Sequence, residues 1–420
     1  MSGAPVISPR LPWEELAAIA PLRPAVAADA ISGLLPQYVA EPRSAEAIAG
    51  ALRWAHANQV AVAARGGGSK LEWGNRLRHL DLVISTSGLN HVVEHAFDDM
   101  IATVEPGCIM ADFQRQLAQH GQRLALDPLF PERATVGGVL ATNDSGGLRL
   151  RFGSMRDLII GITVALPDGT LARSGGKVVK NVAGYDLPKL FTGSLGTLGI
   201  IAQATFRLHP RPAVSETCSA VFDSARSANQ FMQKLLDSTL VPAAIQLRTG
   251  RGRSLCVDVR YEGIPAGVAA QIRRTEAMGA AQEAAQSEVW QAREELWMRS
   301  GTSCLCKFSV LPADLAGACD QIDQIASELQ LDWLATAQAT GIGQLRWEGE
   351  ADKMATALRR LRGRLERNGG SLAVLRCPDE WRSRMDAWGD AGSALALMRR
   401  VKRQFDPAGI LNPGRFVGGI

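Results

Sequence analysis

Three glycine-dense stretches in the first half of the chain restrict what it can fold into more than any other feature. They are Arg65-Gly66-Gly67-Gly68-Ser69-Lys70, the run 131–147 with Gly137, Gly138, Gly146 and Gly147, and a loop punctuated by Gly193, Gly196 and Gly199. Glycines at that density let backbone N–H groups approach a ligand where side chains would block them. The first loop follows the apolar run 60–64, and a strand entering a glycine loop is where α/β folds place phosphates. The centre of the second, 137–142, is made mostly of small residues, so a planar group or another backbone can lie against it. The third opens into alternating apolar residues that predict a strand. One such loop alone reads as a turn. Three together predict a shared nucleotide cofactor.

The common nucleotide motifs do not fit. A Rossmann loop should run straight into a helix, and residues 71–75 after Lys70 do not begin a good one. A P-loop fails as well, because Lys70 follows Ser69 and Gly176-Lys177 continues into Val178. What remains is an anion nest flanked by Arg65 and Lys70, able to neutralise a pyrophosphate.

With 420 residues the chain can build two or three domains with sizeable cores. A net charge of +4 is too weak to argue for nucleic acid. No run of 18 apolar residues exists to span a membrane. Seven scattered cysteines, an odd number, predict reduced cytoplasmic thiols, and Cys304-x-Cys306 reads as alternate residues of one strand. Residues 1–35 read as an arm. Helical spacing predicts a helix over 45–58 behind the N-cap Ser44, and another over 110–120. Residues 211–390 repeat a β-α-β-β-α pattern, which predicts an antiparallel sheet with helices on one face.

In this order the motifs resemble the vanillyl-alcohol oxidase / para-cresol methylhydroxylase (PCMH) superfamily. The carriers are 65–70, Thr135-Val136-Gly137-Gly138 with Ala141-Thr142-Asn143, Arg156-Asp157, the 193–201 loop and the closing run 405–416. Within it, 177–187 and the Trp73-Gly74 that follows the first loop resemble the second flavin subunits of bacterial glycolate oxidases. The resemblance implies an α+β fold: a two-subdomain PCMH-type FAD-binding domain over 36–210 plus a ferredoxin-like antiparallel-sheet cap domain over 211–390. A 391–420 segment would return to the FAD domain. It implies FAD held by Arg65, Gly66, Gly67, Gly68, Ser69, Lys70, Pro106, Thr135, Val136, Gly137, Gly138, Ala141, Thr142, Asn143, Gly146, Gly147, Gly199, Ile201 and Asn412. Binding would be non-covalent, since no histidine follows the first loop until His79.

The resemblance further implies a complex with a larger FAD-binding glycolate oxidase subunit and an iron–sulfur subunit. Such a complex oxidises glycolate, a small 2-hydroxy acid, to glyoxylate, in the cytoplasm or at the inner face of the membrane. Related 2-hydroxy-acid dehydrogenases carry a metal-binding histidine motif in or after the cap, and here no histidine lies beyond His209, so no metal is expected. Two readings stay open: a subunit with its own catalytic site, or an FAD-holding electron-relay or structural subunit whose larger partner does the chemistry. Four arginines at predicted cap-strand ends, Arg248, Arg260, Arg346 and Arg376, are candidates for a substrate carboxylate, or else face solvent or a partner. Lys177 and Lys180 are candidates beside the flavin, and Tyr185 or a carboxylate for the base. The catalytic residue itself is not assigned.

Overall fold

The computed structural model describes residues 11–176, 185–278, 281–283, 287–298, 302–382 and 385–420. The architecture is α+β, built on three principal sheets. Strands Tyr38–Ala40, Leu82–Ser85 and Val62–Arg65 pair in parallel, and Leu22–Pro24 adds an antiparallel edge. Part of the N-terminal arm is therefore an edge strand. Helix Ala45–Ala57 packs on this sheet through Ile48, Leu52 and Ala55, and the Ser44 hydroxyl accepts from the Ala47 N–H to cap it.

A five-stranded antiparallel sheet follows, in the order Val92–Ala96, Ile101–Val104, Ile200–Arg207, Ile159–Ala165, Leu171–Gly175. Helices Met110–Ala118 and Val136–Thr142 cover it through Phe113, Leu117, Val139 and Leu140. The second glycine stretch is thus partly helical. Its small residues serve close approach: a Cβ on Gly137 would lie 2.7 Å from the Pro106 ring.

The remaining strands form one eight-stranded antiparallel sheet. Its halves join where Ala244–Gly250 pairs with Asp332–Gln338. Period-two alternation sends Ile245, Leu247, Val257, Leu345 and Trp347 into a core under helices Ala225–Leu236, Leu315–Leu329 and Ala351–Arg367. The residues between them, Gln246, Arg260, Lys307, Thr336 and Gln344, face the N-terminal half instead. Cys304 and Cys306 lie buried on one strand with sulfurs 3.8 Å apart. Among the described residues no helix is long and apolar enough to cross a membrane.

The C-terminal segment is pinned by a buried charge. Lys402 Nζ donates to Asp406 Oδ2 at 2.6 Å, Thr197 O at 2.8 Å and Leu411 O at 2.9 Å, tying helix Ala394–Phe405 to the third glycine loop. Burial lowers the Lys402 pKa, and Asp406 works against it. Removing one partner of such a pair strands the other in a dry site. Lys402→Met is expected to lower unfolding free energy by about 3 kcal/mol, read by urea denaturation.

Candidate functional site

The first glycine loop and the second stretch converge. Gly66, Gly67, Gly68, Ser69, Lys70, Thr135, Gly138, Ala141 and Thr142 line one cleft together with Leu195 and Arg415. Glycine is required at its base: a Cβ on Gly67 would sit 1.8 Å from the Arg133 carbonyl, and one on Gly66 2.1 Å from Thr135 Oγ1. On the other side of the same loop a cavity of about 570 Å³ shares Gly66, Gly67 and Thr135 and is bordered by Asn90, Arg115 and Arg133.

Several expected residues stand behind this cleft and line none of it. Val136 and Ile201 are core residues, and Gly199 packs against the Ala165 carbonyl and the Phe191 ring. The Pro106 carbonyl accepts from the Gly137 N–H. Asn412 donates to the carbonyls of Leu195 and Gly196, fixing the third loop from behind. Asn143 ends helix Val136–Thr142 in a left-handed conformation, φ 47°, and its buried Oδ1 has no partner among the described residues.

The flanking charges differ from the expected pyrophosphate clamp. The Arg65 guanidinium pairs at 2.7 Å with Asp29 of the arm, a buried carboxylate that Arg23 also grips. Lys70 turns inward, 3.1 Å from the Leu129 carbonyl and 3.4 Å from Asp144, with burial lowering its pKa. Asp144 also binds Arg293 at 2.7 Å and the Leu129 N–H at 2.7 Å. Burial alone would raise its pKa, but Arg293 and then Lys70 outweigh that and hold it below the usual carboxylate range.

Beyond Asp144 lies a cavity of about 260 Å³ between the N-terminal half and the eight-stranded sheet. Asp127, Gly146 and Gly147 form one wall; Gln246, Arg260, Lys307, Gln338 and Gln344 form the other. Trp290, Arg293 and Glu294 close its side. Gly147 approaches the Trp290 ring so closely that a Cβ would lie 3.1 Å from it. Asp127 accepts from the Gly146 and Leu148 N–H groups, and burial raises its pKa against Arg293. Lys307 is pushed down by burial, and among the described residues no acceptor bonds its ammonium. Arg260 stacks 4.1 Å from the Trp290 ring centroid and is likewise without a hydrogen-bonded partner.

Of the four cap arginines only Arg260 reaches this cavity. Arg248 pairs with the fully buried Asp258 at 2.6 Å and borders a separate cavity. Arg346 donates to the Glu295 and Met298 carbonyls and Arg376 to that of Trp297, so the two fasten the segment after helix Ala292–Glu295. Arginine forks are as well suited to orphan helix carbonyls as to carboxylates, and strand-end position does not separate the two. Lys177 and Lys180 lie outside the described residues, and Tyr185 is 91% exposed. Among the described residues no cluster of three metal-ligating side chains occurs. Sequence reading missed Lys307, Asp127, Asp144 and Arg293. A lysine inside the apolar strand Ser303–Ser309 was the one available signal.

Residues 36–175 match the FAD binding domain family, and residues 389–416 the C-terminal domain of FAD linked oxidases. The chain carries a PCMH-type FAD-binding domain and FAD is its cofactor; the proteins it resembles are FAD-linked oxidoreductases that include hydroxy-acid dehydrogenases. It is similar to glycolate oxidase subunit GlcD of Bacillus subtilis (strain 168), 27% identical across 91% of this chain and 89% of that protein. It is also similar to D-lactate dehydrogenase of Archaeoglobus fulgidus, 25% identical across 90% of this chain and 91% of the relative. Among solved structures, alkyldihydroxyacetonephosphate synthase shares the fold, with a TM-score of 0.71 at 19% identity over 91% of this chain and 78% of that one.

Asp144 gives the site a pH signature. Its pKa is lower folded than unfolded, so its stabilisation is present above about pH 4 and lost as pH falls through the folded value. Asp144→Asn leaves Lys70 and Arg293 without their shared anion. We expect a loss of about 3 kcal/mol at pH 7 that shrinks towards zero in acid, measured by urea unfolding across pH.

Proposed function

We propose that this chain is an FAD-binding subunit of a complex that oxidises glycolate, or a close 2-hydroxy acid, to the 2-oxo acid. Electrons would pass to an iron–sulfur subunit beside a larger flavin subunit. The observation that carries the reading is the pair of cations without hydrogen-bonded partners among the described residues, Lys307 and Arg260, in a cavity bordered by Asp144, the ion-pair partner of Lys70 in the glycine cleft. Buried cations without anions are costly and are retained where a ligand supplies the counter-charge. A small hydroxy acid brings that charge as its carboxylate.

The cleft suits FAD. Bare glycine backbone forms its base, as a diphosphate requires, and the orphaned Asn143 oxygen sits at the end of its helix. In this reading Gly66, Gly67, Gly68, Ser69, Thr135, Gly138, Ala141 and Thr142 hold the cofactor, Gly146 and Gly147 border its reactive end, and Asn412 and Gly199 act from behind. Binding is non-covalent, and Arg65 serves the arm. When bound, FAD supplies the two-electron acceptor. The chain's own residues do the rest: Lys307 holds the carboxylate, Arg260 adds positive potential, and the amides of Gln246, Gln338 and Gln344 orient polar atoms. Residues 36–210 and 391–420 would form the cofactor unit and 211–390 the cap.

A second reading, an electron-relay subunit, is favoured by one observation: no histidine borders the cavity. Anaerobic glycolate added to the purified yellow protein discriminates. Bleaching of the visible flavin bands by this chain alone is expected. Bleaching only after addition of the larger flavin subunit would support the relay. Lys307→Met should retain flavin yet raise the half-saturating glycolate concentration by at least about tenfold, the loss expected for one charge-assisted contact.

A further inference from the structure

We propose that Asp127 is the catalytic base that takes the hydroxyl proton of the 2-hydroxy acid. The inference deepens the function proposed above and rests on it.

Three carboxylates border the cavity: Asp127, Asp144 and Glu294. Asp144 is enclosed by Lys70, Arg293 and the Leu129 N–H and has no freedom to accept a proton without breaking both ion pairs. Glu294 spends one oxygen on the Phe130 N–H, fastening the segment on which it sits. Asp127 differs from both. Its oxygens are aimed by the N–H groups of Gly146 at 3.0 Å and Leu148 at 3.2 Å, yet among the described residues no cation bonds its carboxylate. Arg293 touches Asp127 only at the main-chain carbonyl, at 3.4 Å. The turn holding it is so close that a Cβ on Gly146 would lie 2.5 Å from the carboxyl carbon.

The chemistry needs such a group. With FAD bound to accept the α-hydrogen and its electron pair, the O–H bond would break with its proton going to the Asp127 carboxylate, and the C–O bond would become C=O. Release of that proton to solvent restores the base. A general base works best when its pKa approaches the working pH. Burial moves Asp127 in that direction. The charges facing it are Arg293 from helix Ala292–Glu295 and Arg260 from strand Arg253–Gly263, both of which work against the burial. Lys307, Asp144 and Glu294 share the cavity. No imidazole borders it to serve instead.

Asp127→Asn separates this role from a structural one, because the amide oxygen still accepts from the turn but takes no proton. The variant of the full chain, loaded with FAD, is compared with wild type and Asp127→Glu. Expected first is an unchanged visible spectrum. Expected next, without any turnover, is a protonated-carboxyl infrared band in wild type that titrates above the ordinary aspartate range and is missing from the variant. Anaerobic reduction by glycolate should slow by about a hundredfold or more, with the acid limb of the rate profile lost, and Asp127→Glu should restore part of both. Reduction of the Asn variant at the wild-type rate overturns the proposal. So does loss of its flavin, which would assign Asp127 to the turn alone, or loss of the acid limb in Glu294→Gln instead. Wild type that no 2-hydroxy acid reduces is a different failure, that of the proposed function itself.

Discussion

One buried carboxylate holds the functional region together. Asp144 binds Lys70 from the first glycine loop, Arg293 from the segment beneath the cap, and the backbone of Leu129. Each partner belongs to a different part of the chain, so a single charge sets the loop, the cavity wall and the cap segment in register. Two cations around one anion leave the group with net positive charge. That field extends into a cavity already holding Lys307 and Arg260, and an acidic ligand is the natural complement.

The eight-stranded sheet provides the second half of the site by strand geometry alone. Apolar residues on one face bury against helices Ala225–Leu236, Leu315–Leu329 and Ala351–Arg367, and the alternate positions must then present their side chains to the other half of the molecule. A one-residue slip in any of these strands would swap core for cavity. Trp297 stacks on Trp73, and Arg346 and Arg376 seize the carbonyls beside it, so the segment over the cavity is fastened from both sides. Three of the four arginines expected to meet substrate, Arg248, Arg346 and Arg376, hold architecture, and a lysine hidden in an apolar strand joins Arg260 at the cavity.

Much of the cofactor side was legible from local rules. Glycines 66–68 and 137–138 announce close backbone approach wherever they fall, because the absence of Cβ is a property of the residue and needs no context. The N-caps at Ser44 and Thr135 act through atoms three residues away. The superfamily pattern carried by these loops and by the closing run 405–416 agrees with the FAD-binding match over 36–175 and the oxidase match over 389–416. The alternation of the cap strands likewise disclosed its antiparallel sheet.

The charges were not legible, and the reason is physical. Whether Arg65 faces a phosphate or Asp29, or Arg376 a carboxylate or the Trp297 carbonyl, depends on which distant acceptor lies within about 3 Å, a distance that only chain crossing sets. Local sequence determined the glycine loops, the helix caps and the strand faces, since each depends on neighbours a few residues apart. The tertiary structure alone decided which buried charges are paired and which remain open, because Coulomb energy follows separation in space and ignores separation along the chain.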